Sequence, residues 1–388
     1  MQSPRSTKFL LHAVFCASVS FASTASRSVD AAPFTSLVIF GDSLSDVGNI
    51  ASSSIGIYPG KYYYANRFSN GAVWVETLAT GLGLPATKRS TLTGGNNFAY
   101  GGAQTSGTGG FEGALIRDLD EQVTQYLNQR TVDPTGLYVV FAGSNDFIGG
   151  QTNVSIPANN LLNDVARLYS AGVRNFLIPN LPLLGYTPRF NGSATTAATY
   201  NTRSTQFNAA VDAGIAALAG SDEHLSIFRL DVASIFVDAI TNPAKFNLAN
   251  VTAPAAPGLE PGDSSYSTSL IAPNASEYLF WDDLHPTATV HSILAARALA
   301  LVDGVAGDFN ADALVDAADL ALWQMNFGVS GSGARVLGDA NADQTIDGAD
   351  FLLWQQNATN VAITSVPEPQ AWLLIVGCAI FTGLKRQR

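Results

Sequence analysis

Cysteine is almost missing. The chain of 388 residues has two, Cys16 and Cys378, near its opposite ends. The body between them can therefore hold no disulfide, no thiol nucleophile and no Cys-ligated zinc. Charge is also scarce, at 13% of residues, and lopsided, with 20 Lys+Arg against 31 Asp+Glu and a net −11. Phosphate binding needs basic patches, so nucleic acid is not expected as a partner. Histidine occurs only at His12, His224, His285 and His291. Apolar residues reach 47%, which suits a packed core and argues against long disordered tracts.

The two ends read as targeting segments. Arg5 and Lys8 precede a mostly apolar run from Phe9 to Phe21, then small residues with Ser23 and Ala25 placed for cleavage. This is the pattern of a secretory signal peptide over 1–25; an ordinary first helix is the alternative. At the other end Val366-Pro367-Glu368-Pro369 precedes an apolar stretch from Ala371 to Leu384, followed by Lys385, Arg386 and Arg388. About fourteen apolar residues is short for a spanning helix, and the cations favour the cytoplasmic side. The pattern resembles a PEP-CTERM tail. That implies a sorting signal over 366–388, read by sorting machinery and cleaved after export; a plain tail anchor is the alternative. The expected location is the cell surface or extracellular space, with transient membrane anchoring through the tail.

Between about Thr35 and Val302, short apolar runs alternate with helical stretches. Ser36–Phe40, Leu137–Phe141, Asn175–Pro179 and Leu225–Leu230 read as strands, and unbroken apolar runs suit parallel strands buried on both faces. Helices are expected over Val73–Leu82, Asp118–Leu127, Asn160–Ala171, Thr202–Ala219 and Val290–Val302. The alternation predicts an α/β sheet with helices on both faces. Ligands in such sheets bind beyond the carboxyl ends of the strands.

Residues with chemistry fall at those ends. Gly41-Asp42-Ser43-Leu44-Ser45-Asp46 follows the first strand, so Ser43 sits in a strand-to-helix turn. A capping serine would look the same. A nucleophilic hydroxyl needs a base. His12 falls in the signal segment, His224 in a polar turn and His291 on a helix face. His285 instead lies in Phe280-Trp281-Asp282-Asp283-Leu284-His285-Pro286, where one turn can bring Asp282 to an imidazole nitrogen. Asp283 is an alternative on spacing alone. An acyl-transfer transition state also needs N–H donors for its oxyanion. Asn96–Ala103 offers the Gly101-Gly102 pair, and Gly143-Ser144-Asn145-Asp146 offers a side-chain amide.

In this order GDSLSDVGN, NNFAYGGA, GSND and DDLHP resemble the GDSL lipases and esterases, or SGNH hydrolases. Arg67–Gly71 with Trp74 and Glu76, Asn180-Leu181-Pro182 and Thr187-Pro188 fit the lipase-like branch. The resemblance spans about residues 35 to 300. It implies a three-layer flavodoxin-like α/β sandwich with a parallel central sheet, as a hydrolase domain over 33–302. It further implies Ser43 as nucleophile, His285 as base and then acid, Asp282 orienting it, and an oxyanion hole of Ser43 N–H, Gly102 N–H and the Asn145 amide. Gly101 is the alternative to Gly102. No cofactor is expected for catalysis. The expected activity is carboxylic ester hydrolysis, on a lipid or small acyl ester. The alternatives are a carbohydrate O-deacetylase on the same fold, or a catalytically inactive surface binding protein.

From Asp303 to Ser365 there are nine aspartates, no glutamate, no lysine and one arginine, Arg335, or −8 of the total −11. Asp308-x-Asn310-x-Asp312-x-x-x-Asp316-x-x-Asp319 recurs 31 residues later as Asp339-x-Asn341-x-Asp343-x-x-x-Asp347-x-x-Asp350. Oxygen ligands at this spacing can wrap Ca²⁺, and a cation would relieve the mutual repulsion of the aspartates. The pair resembles dockerin type I repeats, which implies a small helical calcium-binding module over 303–360 and a possible cohesin-like partner. Ala313 and Gln344 stand where glycine commonly makes the loop's sharp turn. An acidic linker without a cation is the alternative.

Overall fold

The computed structural model describes residues 34–358, apart from 108–109, 221, 223, 305–306, 311–313, 330–337, 339 and 341–344. The segments read as signal peptide and sorting tail lie outside the described residues, with Cys16 and Cys378, and so do Asp312, Asp339, Asn341 and Asp343. Among the described residues no helix is long and apolar enough to cross a membrane.

Four apolar runs form the parallel strands β1 (Leu37–Gly41), β2 (Leu137–Phe141), β3 (Asn175–Leu177) and β4 (Ser226–Phe228), in the order β1-β2-β3-β4. Every residue of β1 and β2 is buried. Asn96–Tyr100 runs along the other edge of β1, where the Phe98 N–H donates to the Ile39 carbonyl at 2.7 Å. A second parallel pair joins β5 (Asn250–Pro254) to β6 (Tyr278–Phe280). The apolar-run reading misses this pair because β5 is mostly polar or exposed and β6 has three residues.

The helices are α1 (Asn49–Ser53), α2 (Trp74–Gly81), α3 (Gly110–Leu115), α4 (Leu119–Gln129), α5 (Ser144–Ile148), α6 (Ser155–Ser170), α7 (Ala194–Ala219), α8 (Val232–Thr241) and α9 (Ala288–Leu299). Strand side chains alternate between the two faces of a sheet. On one face Tyr138 meets Tyr126 of α4, ring centroids 5.8 Å apart; on the other, Phe141 meets Trp74 of α2 at 6.2 Å. α4 packs on α6 and α6 on α7, while α2 packs on α9. The result is helix, sheet, helix. α7 begins at Ala194 rather than Thr202, because Ala194–Asn201 is built mostly of alanine and threonine and carries little apolar periodicity. α6 begins at Ser155 rather than Asn160, with Pro157 in its first turn, where a missing N–H leaves no intrahelical bond unmade.

Beyond α9 come α10 (Ala317–Asn326) and α11 (Gly348–Asn357), which pack on each other. Asp316 caps α10 through the Ala318 N–H, and Asp347 caps α11 through the Ala349 N–H. The two repeats also exchange matching bonds. Trp323 Nε1–H donates to the Asp347 carbonyl and Trp354 Nε1–H to the Asp316 carbonyl, both at 2.9 Å.

Candidate active site

β1 ends at Gly41, where a Cβ would lie 2.4 Å from the Phe141 carbonyl oxygen, so only glycine lets β1 and β2 approach this closely. The Gln122 side chain of α4 clamps the strand end, accepting from the Gly41 N–H and donating to its carbonyl, each at 2.8 Å. The chain then turns through Asp42 and Ser43, tied by the Ser45 and Asp46 N–H groups donating to the Asp42 carbonyl.

Ser43 Oγ lies 2.9 Å from His285 Nε2, and His285 Nδ1 lies 2.7 Å from Asp282 Oδ2. All three residues are buried. The Asp282 carboxylate has four donors. Oδ1 accepts the Leu284 and His285 N–H groups; Oδ2 accepts the Tyr63 hydroxyl at 2.7 Å and the imidazole. Burial alone would raise its pKa, but His285 and these hydrogen bonds outweigh burial and hold Asp282 below the ordinary carboxylate value. An ionised Asp282 keeps the proton on Nδ1 and leaves Nε2 free to accept from Ser43. Asp283 is not available for this role: Arg189 grips both of its oxygens, at 2.8 Å each.

The other donors converge from two loops. Ser43 N–H and Gly102 N–H have no acceptor among the described residues. Ser43 is buried and Gly102 half-buried at the cleft, and this pair of donors marks where an acceptor oxygen can sit. Gly101 is excluded, because its N–H donates to Asp46 Oδ2 at 2.8 Å. Gly102 takes φ +83°, a left-handed value that suits glycine. Asn145 gives one amide hydrogen to the Ala103 carbonyl at 2.9 Å and has a second to offer.

Several positioning residues went unassigned in the sequence. Asp46 accepts the N–H groups of Gly48, Asn49, Ile50 and Gly101, and so fixes the Ser43 turn to the Gly102 loop. Asp146 holds the far side of that loop through the N–H and hydroxyl of Thr105. Phe68 lies against the His285 ring, centroids 5.0 Å apart, and fills the space a Cβ on Gly101 would need. Tyr63 carries no sequence signal beyond lying in a run of three tyrosines. His291 is buried and accepts the Trp74 N–H at Nδ1, 3.3 Å away; burial pushes its pKa down to about 3, which keeps it neutral.

The chain matches the GDSL-like lipase/acylhydrolase family over residues 37–298. It belongs to that family. It is an ester-hydrolysing enzyme. It is 25% identical to a phosphatidylcholine-sterol acyltransferase of Aeromonas hydrophila, across 71% of this chain and 93% of that one. It is 27% identical to a thermolabile hemolysin of Vibrio parahaemolyticus, across 68% of this chain and 62% of the relative. With a GDSL esterase/lipase of Arabidopsis thaliana it shares 26% identity, across 68% and 81% of the two chains.

The acidic repeats present oxygen donors only. In each, the last aspartate is fully buried and accepts backbone N–H groups in matching positions: Asp319 from Phe309 and Asp316, Asp350 from Ala340 and Asp347. Among the described residues no three acidic or histidine side chains converge as a metal site, and the middle of each loop falls on residues that are not described.

Proposed function

We propose that the protein is an exported serine carboxylic ester hydrolase that works through an acyl-enzyme on Ser43. The observation that carries this reading is the continuous chain Asp282 Oδ2, His285, Ser43 Oγ at 2.7 and 2.9 Å. His285 Nε2 takes the Ser43 proton as Oγ attacks the ester carbonyl. The carbonyl oxygen, now negative, is received by the Ser43 and Gly102 N–H groups and the Asn145 amide. The imidazolium returns its proton to the departing alcohol. Water, deprotonated by His285, then attacks the acyl group and frees Ser43. Ser43→Ala and His285→Ala should each lower kcat by about 10⁴-fold or more, since triad members act as a unit. Near-native rates in either variant on 4-nitrophenyl esters contradict the proposal. A carbohydrate O-deacetylase working through the same serine is the second reading, favoured by Gln104, Arg189 and Glu260 lining the cleft.

Around this hydrolase domain, taken as 33–302, we assign the signal peptide to 1–25 and the sorting tail to 366–388, which together place the enzyme outside the cell. The module over 303–360 is read as dockerin-like, holding structural Ca²⁺ through Asp308, Asn310, Asp312, Asp316 and Asp319 and through Asp339, Asn341, Asp343, Asp347 and Asp350. The oxygen-only donor set and the matching folds of the two repeats support it. A cohesin-like partner is one use for such a module; a calcium-stabilised spacer before the tail is the other.

A further inference from the structure

The cleft at Ser43 has two compartments of very different size. One, of about 30 Å³, lies among Leu44, Pro182, Leu184 and Phe236. The other, of about 380 Å³, has an apolar wall of Ile50, Phe68 and Ile116 and a polar side with Gln104, Arg189 and Glu260. Ser43, Asn145 and His285 line both. An ester carbon seated on Ser43 therefore stands at their junction, with one arm of the substrate in each.

We infer that the small chamber receives the acyl arm and restricts it to a short group of the acetyl class, while the large cavity receives a bulky, polar alcohol. This rests on Ser43 being the nucleophile. Size comes first: about 30 Å³ holds roughly two water-sized atoms, enough for an acetyl methyl and far too little for an octanoyl chain. The order of bond breaking comes second. The alcohol departs while the acyl group stays bonded to Ser43, so the arm that leaves needs the roomier side. Polarity comes third. Gln104, Arg189 and Glu260 can pair with hydroxyl groups, whereas an alkyl chain would strip them of water without return. The small chamber carries its own polar groups. The Asp42 carboxyl accepts the Leu44 N–H at 3.0 Å, and the buried Ser144 hydroxyl has no hydrogen-bond partner among the described residues. Polar atoms in this wall leave a longer chain less apolar surface to bury against. Phe236, the largest apolar side chain on this wall, sets the limit.

The test is kcat/KM on 4-nitrophenyl acetate, butanoate and octanoate, for wild type, Phe236→Ala, Phe236→Leu and Ile116→Ala, each checked for a native melt. Wild type should fall by about tenfold or more from acetate to octanoate, since added methylenes find no surface to bury against. Phe236→Ala should raise the octanoate-to-acetate ratio of kcat/KM by about tenfold. Phe236→Leu, the milder cut, should shift the optimum the same way even if the alanine variant does not fold. Ile116→Ala should leave the chain-length profile alone and change discrimination between methyl acetate and an acetylated xylose oligomer. A wild-type preference for octanoate, or a chain-length profile that answers to Ile116 and not Phe236, overturns the inference. Loss of turnover on every ester, with Ser43 unlabelled by a phosphonate, overturns the serine-hydrolase reading beneath it.

Discussion

The site contains an ionisable residue whose charge bears on the base without joining the reaction. Burial pushes the Asp42 carboxyl up to about 7, against the Leu44 N–H and the nearby His285, which both pull it down. An unfolded aspartate titrates near 3.8, so the fold holds an extra proton between these values. Stability contributed by the neutral form is complete below about 3.8 and is lost as pH rises through about 7. Asp42→Asn keeps the acceptor for Leu44 and removes the charge. Its melting temperature should exceed wild type at pH 8, and the gain should shrink as pH falls toward 4. Melts over this range check the expectation; a stability gain that does not vary with pH contradicts the assignment.

Between elements, the site depends on loops that cross-brace each other more than on any one helix. Asp46 joins the start of α1 to the Gly102 loop through four backbone N–H groups. Asp46→Ala leaves them buried without an acceptor, and each such group costs about 1–3 kcal/mol. A loss of about 3 kcal/mol or more in chemical denaturation is expected, with a fall in activity as Gly102 loses its setting; a change under about 1 kcal/mol shows the brace to be dispensable. The strands of the four-stranded sheet were legible because β1 and β2 are unbroken apolar runs, and the catalytic candidates because Ser43, Asn145 and His285 sit in motifs at strand or loop ends. Tyr63 and Arg189 were not legible. Each acts on Asp282 or Asp283 across a gap of many residues, and neither local spacing nor periodicity encodes such a contact. Asp283 competed with Asp282 on spacing until the Arg189 bridge removed it. The early start of α7 was hidden by a stretch of small residues with no apolar stripe.

The whole chain places most of its net negative charge outside the hydrolase domain, in two repeats whose described parts fold alike. A cation bound only by the folded module would stabilise it by mass action, by about 2.7 kcal/mol when free Ca²⁺ is one hundred times Kd. Calorimetry of the full chain should show the transition of 303–360 falling when a chelator is added and recovering with Ca²⁺. An unchanged transition, with no heat of calcium binding, contradicts the calcium assignment and leaves an acidic linker. The hydrolase itself is tested most directly on the intact protein with a fluorophosphonate. Mass spectrometry should find one adduct per chain, on the peptide that contains Ser43, with ester hydrolysis lost in proportion. A folded, unlabelled chain, or an adduct on another residue with Ser43 free, would contradict the account.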